Sequence, residues 1–202
     1  MDEVFAGVPR VSGKVSGCSR CYSEAELELF GGDPALVPDR LVVSFATDAT
    51  DHWSEDQYGL IWRGLAPRIL RLLDPDPDER VLRGLSFARF STWPEEEQAA
   101  VRHEVREIVT RAFTTWDHPF PLEELLCAVA YVDGELAPWL GYLDTLGADA
   151  DAPIALLAEQ WASELPKGTL LQWRLHDEDS TEPIRDWLYS DALHDRLKRM
   201  GD

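Results

Sequence analysis

A chain of 202 residues suits one domain, or one domain with a small appendage, and can bury a core without disulfide support. Eight Trp and seven Phe among 45% hydrophobic residues exclude a disordered acidic tail. A formal charge of −19 disfavours direct contact with DNA, RNA or an anionic membrane, because each of those attracts a basic surface.

Residues 1–17 carry Gly and Ser with no sustained periodicity. They read as an extended or flexible lead-in, with residues 18–202 forming a single helical domain. Ser23-Glu24-Ala25-Glu26 spells a capping box, in which the Ser hydroxyl accepts from the third helical amide and Glu26 reaches back to the cap. Gly31-Gly32 ends that helix. Pro38 opens the next one, through Leu41, Val42 and Phe45.

Over residues 55–73 the side chains of Tyr58, Ile61, Trp62, Leu65, Ile69, Leu72 and Leu73 share one face at helical spacing. Ser54 and Gln57 offer a second capping box there. Pro67, inside the same helix, is expected to kink or split it. The turn Asp74-Pro75-Asp76-Pro77-Asp78 leads to a short helix over 79–90.

The firmest helical pattern covers 94–116. Thr92 is placed to cap it, Glu95, Glu96 and Glu97 favour its positive end, and Val101, Val105, Ile108, Val109, Ala112, Phe113 and Trp116 form one apolar stripe. Helices over 122–132, 135–146 and 151–165 follow. Residues 169–175 are ambiguous between helix and strand, and helices over 182–189 and 190–200 close the chain. The sum predicts an all-α protein of about nine or ten short helices, packed as a bundle or as stacked antiparallel hairpins. A HEAT-like stack fits the paired helices after residue 121, although no clean repeat is visible.

Gly17-Cys18-Ser19-Arg20-Cys21-Tyr22 is the most pointed chemical motif. Two thiols at this spacing can hold one Zn²⁺ in a tight turn, and zinc takes four ligands in all. The candidates for the remaining positions are His52, His103, His118 and Cys127. His52 is preferred because it lies in a turn just before a helix, with Asp48 or Asp51 as an outer partner or an oxygen ligand. The metal set is therefore Cys18, Cys21 and His52. Two ordinary reduced thiols and a redox-active dithiol are the competing readings. A thioredoxin-like version of the latter would need a βαβ context that the sequence lacks. In either functional reading Arg20, between the two thiols, is expected to lower their pKa.

Other clusters have plainer explanations. His176-Asp177 and His194-Asp195 resemble the His-Asp pairs of a helical metal-dependent phosphohydrolase class, but they fall in a polar run and near the chain end, where solvated surface accounts for them. Asp74, Asp76 and Asp78 alternate as in a calcium loop, yet prolines separate them and the required Gly and Glu are missing. Trp62, Trp116, Trp139, Trp161 and Trp187 fall at core positions, while Trp53 and Trp93 precede helices. No Walker loop, dinucleotide turn, His-Glu-x-x-His or Gly-x-Ser-x-Gly occurs.

The acidity is concentrated. Residues 112–166 hold ten Asp and Glu without one Lys or Arg, and residues 21–60 hold nine acids against Arg40 alone. Such a surface suits a basic protein partner, although an acid-rich, Lys-poor composition can also be a habit of a whole proteome. Met1-Asp2-Glu3 shows no secretory leader, so the expected location is cytoplasmic, with thiols reduced or metal-bound. The expectation is a non-enzymatic interaction protein with an N-terminal zinc knuckle. The alternatives are a small-ligand or metal-dependent enzyme with its site near Cys18 and Cys21, or a dithiol sensor.

Overall fold

The structure, a computed structural model, describes residues 1–48, 52–73, 78–115, 121–168, 170 and 181–201. The protein is all-α. The described residues form eleven α-helices: α1 (Asp2–Phe5), α2 (Glu24–Gly31), α3 (Asp39–Thr47), α4 (Glu55–Leu72), α5 (Glu79–Phe87), α6 (Glu95–Thr114), α7 (Leu122–Asp133), α8 (Ala137–Asp144), α9 (Asp151–Glu164), α10 (Glu182–Leu188) and α11 (Asp191–Gly201). Among the described residues no strand forms, and the extended pairing is limited to an isolated antiparallel bridge between Gly17 and Trp53. No helix among them is long and apolar enough to cross a membrane. The chain divides into two compact units, Met1–Arg106 and Glu107–Asp202, and α6 runs through the boundary.

In the first unit α3, α4 and α5 pack on one another, and α1 packs on α4. Residues 1–17 contribute to this core, because Phe5 and Val15 are buried. The helix starts follow local chemistry. Ser23 caps α2 with the full reciprocal box, its hydroxyl accepting from the Glu26 amide while Glu26 accepts from the Ser23 amide. Ser54 makes no such cap for α4. Gln57, the expected partner, is committed elsewhere: its carbonyl accepts from the Ser16 amide at 2.7 Å and its amide donates to the Lys14 carbonyl at 3.2 Å. Those backbone groups belong to a loop with no helix of its own to satisfy them, so the side chain serves the loop rather than the helix.

Helix α4 runs through Pro67 without the split that the proline could have caused. Leu72 is exposed, and Leu70 takes its place on the buried face. Thr92 likewise does not cap α6. It lies in a 3₁₀ turn, Phe90–Thr92, and its hydroxyl donates to the Arg89 carbonyl. Glu97 in the first turn of α6 is buried and receives a bidentate pair from Arg63 of α4, both contacts at 2.7 Å. Arg68 of α4 donates to the carbonyls of Pro34 and Val37, so it holds a short 3₁₀ turn that has few internal bonds.

In the second unit α10 packs on α8, α9 and α11, and α7 packs on α8. Gly134, at φ 74°, ends α7 in the left-handed conformation that favours glycine. The expected stripe of α6 is buried from Val101 to Phe113, and Trp139, Trp161 and Trp187 are core residues. Trp116, the turn 74–77, His118, and His176 with Asp177 lie outside the described residues, as does most of the ambiguous stretch 169–175.

Candidate metal centre

The site begins with a glycine. Gly17 bridges to Trp53, so the residues that follow and precede those two, Cys18 and His52, are brought side by side. A Cβ at Gly17 would stand 2.7 Å from Leu27 Cδ2 and 3.0 Å from Trp53 Cζ3, so both side chains would have to shift to admit it. Gly17 is therefore what lets the two segments approach. Beyond it the chain turns tightly, with the amides of Cys21 and Tyr22 both donating to the Cys18 carbonyl at 3.0 Å. The capped start of α2 follows at once.

The far wall is aromatic. Trp53 lies 5.2 Å from Tyr22, 5.1 Å from Phe45 and 5.4 Å from Phe30 between ring centroids. These contacts explain why Trp53, which precedes a helix, is core. They also fix the backbone of its neighbour His52.

On this frame the ligand atoms of Cys18, Cys21 and His52 all lie within 4.8 Å of one another, and the three residues form a group able to hold a metal ion. Cys21 Sγ is 3.4 Å from His52 Nδ1. Among the described residues no other group of His, Cys, Asp and Glu meets this condition. His103 is exposed on α6, Cys127 is buried in the second unit, and His194 and Asp195 are exposed on α11.

The two thiols are unlike. Cys18 is pushed below the ordinary thiol range, first by the backbone amide of Arg20 and then by hydrogen bonds from the Cys21 thiol and amide. Cys21 is pushed up, first by its bond to Cys18, then by burial and by the charges of Cys18 and Asp48. The expectation that Arg20 lowers both is thus corrected. Its amide rather than its guanidinium acts, and it acts on Cys18, because the turn aims that N–H at the nearer sulfur.

Asp48, at the end of α3, was named from sequence only as one of two options, and Asp51 lies outside the described residues. Asp48 Oδ1 stands 3.2 Å from His52 Nδ1, and its Oδ2 accepts from the Tyr22 hydroxyl at 3.1 Å. Tyr22 also meets the Ser44 hydroxyl at 3.1 Å. Burial pushes the Tyr22 phenol well above its ordinary range, so it keeps its proton and remains a donor. Sequence reading missed Tyr22 and Ser44. The available signal was the spacing of Ser44, Asp48 and His52 at intervals of four, which a helix and its extension would align.

An open hollow of 490 Å³ adjoins the turn, lined by Val15, Ser16, Gly17, Ser19, Tyr22 and Leu27 among others, and by none of the three ligands. Comparison of the chain with family models, with curated proteins and with solved structures gives no match.

Proposed function

We propose that the protein is a non-enzymatic, all-helical interaction protein whose first unit is stapled by one structural Zn²⁺ at Cys18, Cys21 and His52. The convergence of these three ligand atoms within 4.8 Å carries the reading. Thiolate and imidazole together suit zinc better than calcium or magnesium, which take oxygen. The position of the site also supports a structural role. The ligands stand on turns against a packed aromatic wall, and the neighbouring hollow does not open onto them.

Purified protein prepared without chelator should hold about one zinc per chain, and Cys18→Ser should lower this to background. Metal-free wild-type protein that refuses added zinc would sink the proposal. The interaction half rests on residues 112–166, a stretch of sequence with ten acids and no Lys or Arg of its own. A basic protein is the fitting partner, and its binding should weaken steeply from low to physiological salt. Affinity indifferent to salt would remove that half and leave the zinc site standing.

The unlike thiols favour one second reading, a dithiol sensor in which Cys18, the more readily deprotonated of the two, attacks an oxidant as its thiolate and Cys21 resolves the product to a disulfide. Mild peroxide would then lower the free-thiol count by about two per chain without any metal present.

A further inference from the structure

We propose that the turn from Cys18 to Cys21 is a redox release for the metal: hydrogen peroxide joins the two sulfurs as a disulfide, and the ion leaves. The proposal rests on the metal reading above and adds the regulation of that site. It differs from the dithiol sensor in that a bound ion is what the oxidation expels.

The turn suits both states. The Cys21 amide donates to the Cys18 carbonyl at 3.0 Å, which closes the backbone between the two residues. A turn of this kind brings its first and last Cα atoms within about 7 Å. A disulfide usually spans about 4.4–6.8 Å between the same atoms. The two sulfurs lie within 4.8 Å of each other, so side-chain rotation can bring them to bonding distance with the backbone turn kept. The two states exclude one another. Metal binding needs the thiolates, and a disulfide leaves none. Of the three grouped ligands only His52 then remains, and one imidazole does not hold zinc.

Access favours the reaction. Cys21 is exposed and Cys18 half-buried, whereas Cys127 is buried. With metal bound both sulfurs of the turn are thiolates, so exposure decides which meets peroxide first, and that is Cys21. Its sulfur attacks one peroxide oxygen: an S–O bond forms, the O–O bond breaks and hydroxide leaves. The Cys18 sulfur then attacks the Cys21 sulfur: the S–S bond forms, the S–O bond breaks and a second hydroxide leaves. Solvent protons turn both hydroxides into water. The two sulfurs lose one electron each, and one peroxide is reduced.

Zinc-loaded full-length protein is treated with peroxide beside a zinc indicator too weak to strip the metal unaided. About one zinc should appear for every two thiols lost. The thiol count should fall from three to one, Cys127 staying reduced. Trypsin cuts after Lys14, Arg20 and Arg40, so Cys18 and Cys21 fall in separate peptides, 15–20 and 21–40. In the oxidised protein these should run as one linked pair. Dithiothreitol should part them and restore zinc binding, and protein oxidised before metal is added should take up none. Cys127→Ser should release its zinc at the wild-type rate.

Thiols lost while zinc stays bound would overturn the proposal, as would zinc released with the two peptides unlinked. A linked pair found only in a covalent dimer would place the bond between chains and overturn the role of the turn. Zinc that is bound and resists peroxide refutes the release and leaves the metal reading standing. Wild-type protein that binds no zinc in either state refutes the metal reading itself.

Discussion

The two units carry nineteen acids each but differ in cations, with twelve Lys and Arg in residues 1–106 and seven in residues 107–202. The first unit uses its arginines to join elements. Arg63 clamps α4 to α6, Arg68 holds a 3₁₀ turn, and Arg40 reaches Glu26 at 2.8 Å. Its core is a continuous ring network from Tyr22 through Trp53 and Phe45 to Tyr58. The second unit sets Trp139, Trp161 and Trp187 among aliphatic side chains and, among the described residues, buries one cation, Arg196, only 4% exposed. Arg196 donates to the carbonyls of Asp144 and Leu146 and pairs with Asp151 at 3.0 Å. The contrast shows two ways of holding irregular backbone in a helical protein. One unit pins its loops with several side chains and a metal-competent turn, while the other routes them to a single guanidinium.

Metal removal should break the comparison most strongly. At free zinc a thousand-fold above the dissociation constant, the ion adds about 4 kcal/mol to the folded state. Chelation should therefore remove hydrogen-exchange protection from peptides of residues 1–48 and 52–73 and spare those of α7 to α9. Equal loss in both units would erase the distinction. Arg196→Ala should be next, costing about 3 kcal/mol, because it leaves two loop carbonyls without their donor and the Asp151 carboxylate without its ion partner. Denaturant unfolding measures it, and a loss under about 1 kcal/mol would mean that the loop holds itself.

Gly17→Ala should cost about 1–3 kcal/mol by overpacking against Leu27 and Trp53. It should also weaken zinc binding, since Cys18 moves with the bridge. Normal metal affinity in that variant would detach the bridge from the site.

The smallest effect concerns Glu123, buried at the start of α7, whose carboxyl is pushed up by burial and by the charge of Glu164. A folded-state pKa above the unfolded value means that the native chain holds more protons. This contribution is then fully present below the ordinary glutamate pKa and fades as pH rises through the raised one. Glu123→Gln keeps an acceptor for the Gln160 amide, which donates at 2.7 Å. Thermal unfolding of the variant should show a flatter pH dependence through mildly acidic pH. An unchanged profile would assign the titration elsewhere.

Much of this architecture was readable in the residues. Periodic stripes such as Val101 to Phe113 report burial directly, and the Ser23 box announces a helix start, because both depend on neighbours within one or two turns. The pairing of Cys18 and Cys21 with His52 was readable only as a preference, since nothing local says which distant histidine returns to the turn. What decides it is the bridge from Gly17 to Trp53, a long-range contact with no periodic signature. The same limit explains Gln57, whose spacing from Ser54 suits a cap but whose amide group is taken by Lys14 and Ser16. Local rules are overridden where a loop from elsewhere brings unsatisfied backbone.

The bridge also has a consequence in time. Cys18 and His52 stand at the two ends of a loop that contains all of α2 and α3. Closing such a loop in the unfolded chain costs about 4 kcal/mol of chain entropy. In the folded chain His52 is within reach of the sulfurs where Trp53 packs among Phe30 and Phe45. An ion captured here is expected to act as a latch rather than a seed. Its uptake during refolding follows the rate at which these two helices collapse together, however freely the thiols meet solvent beforehand.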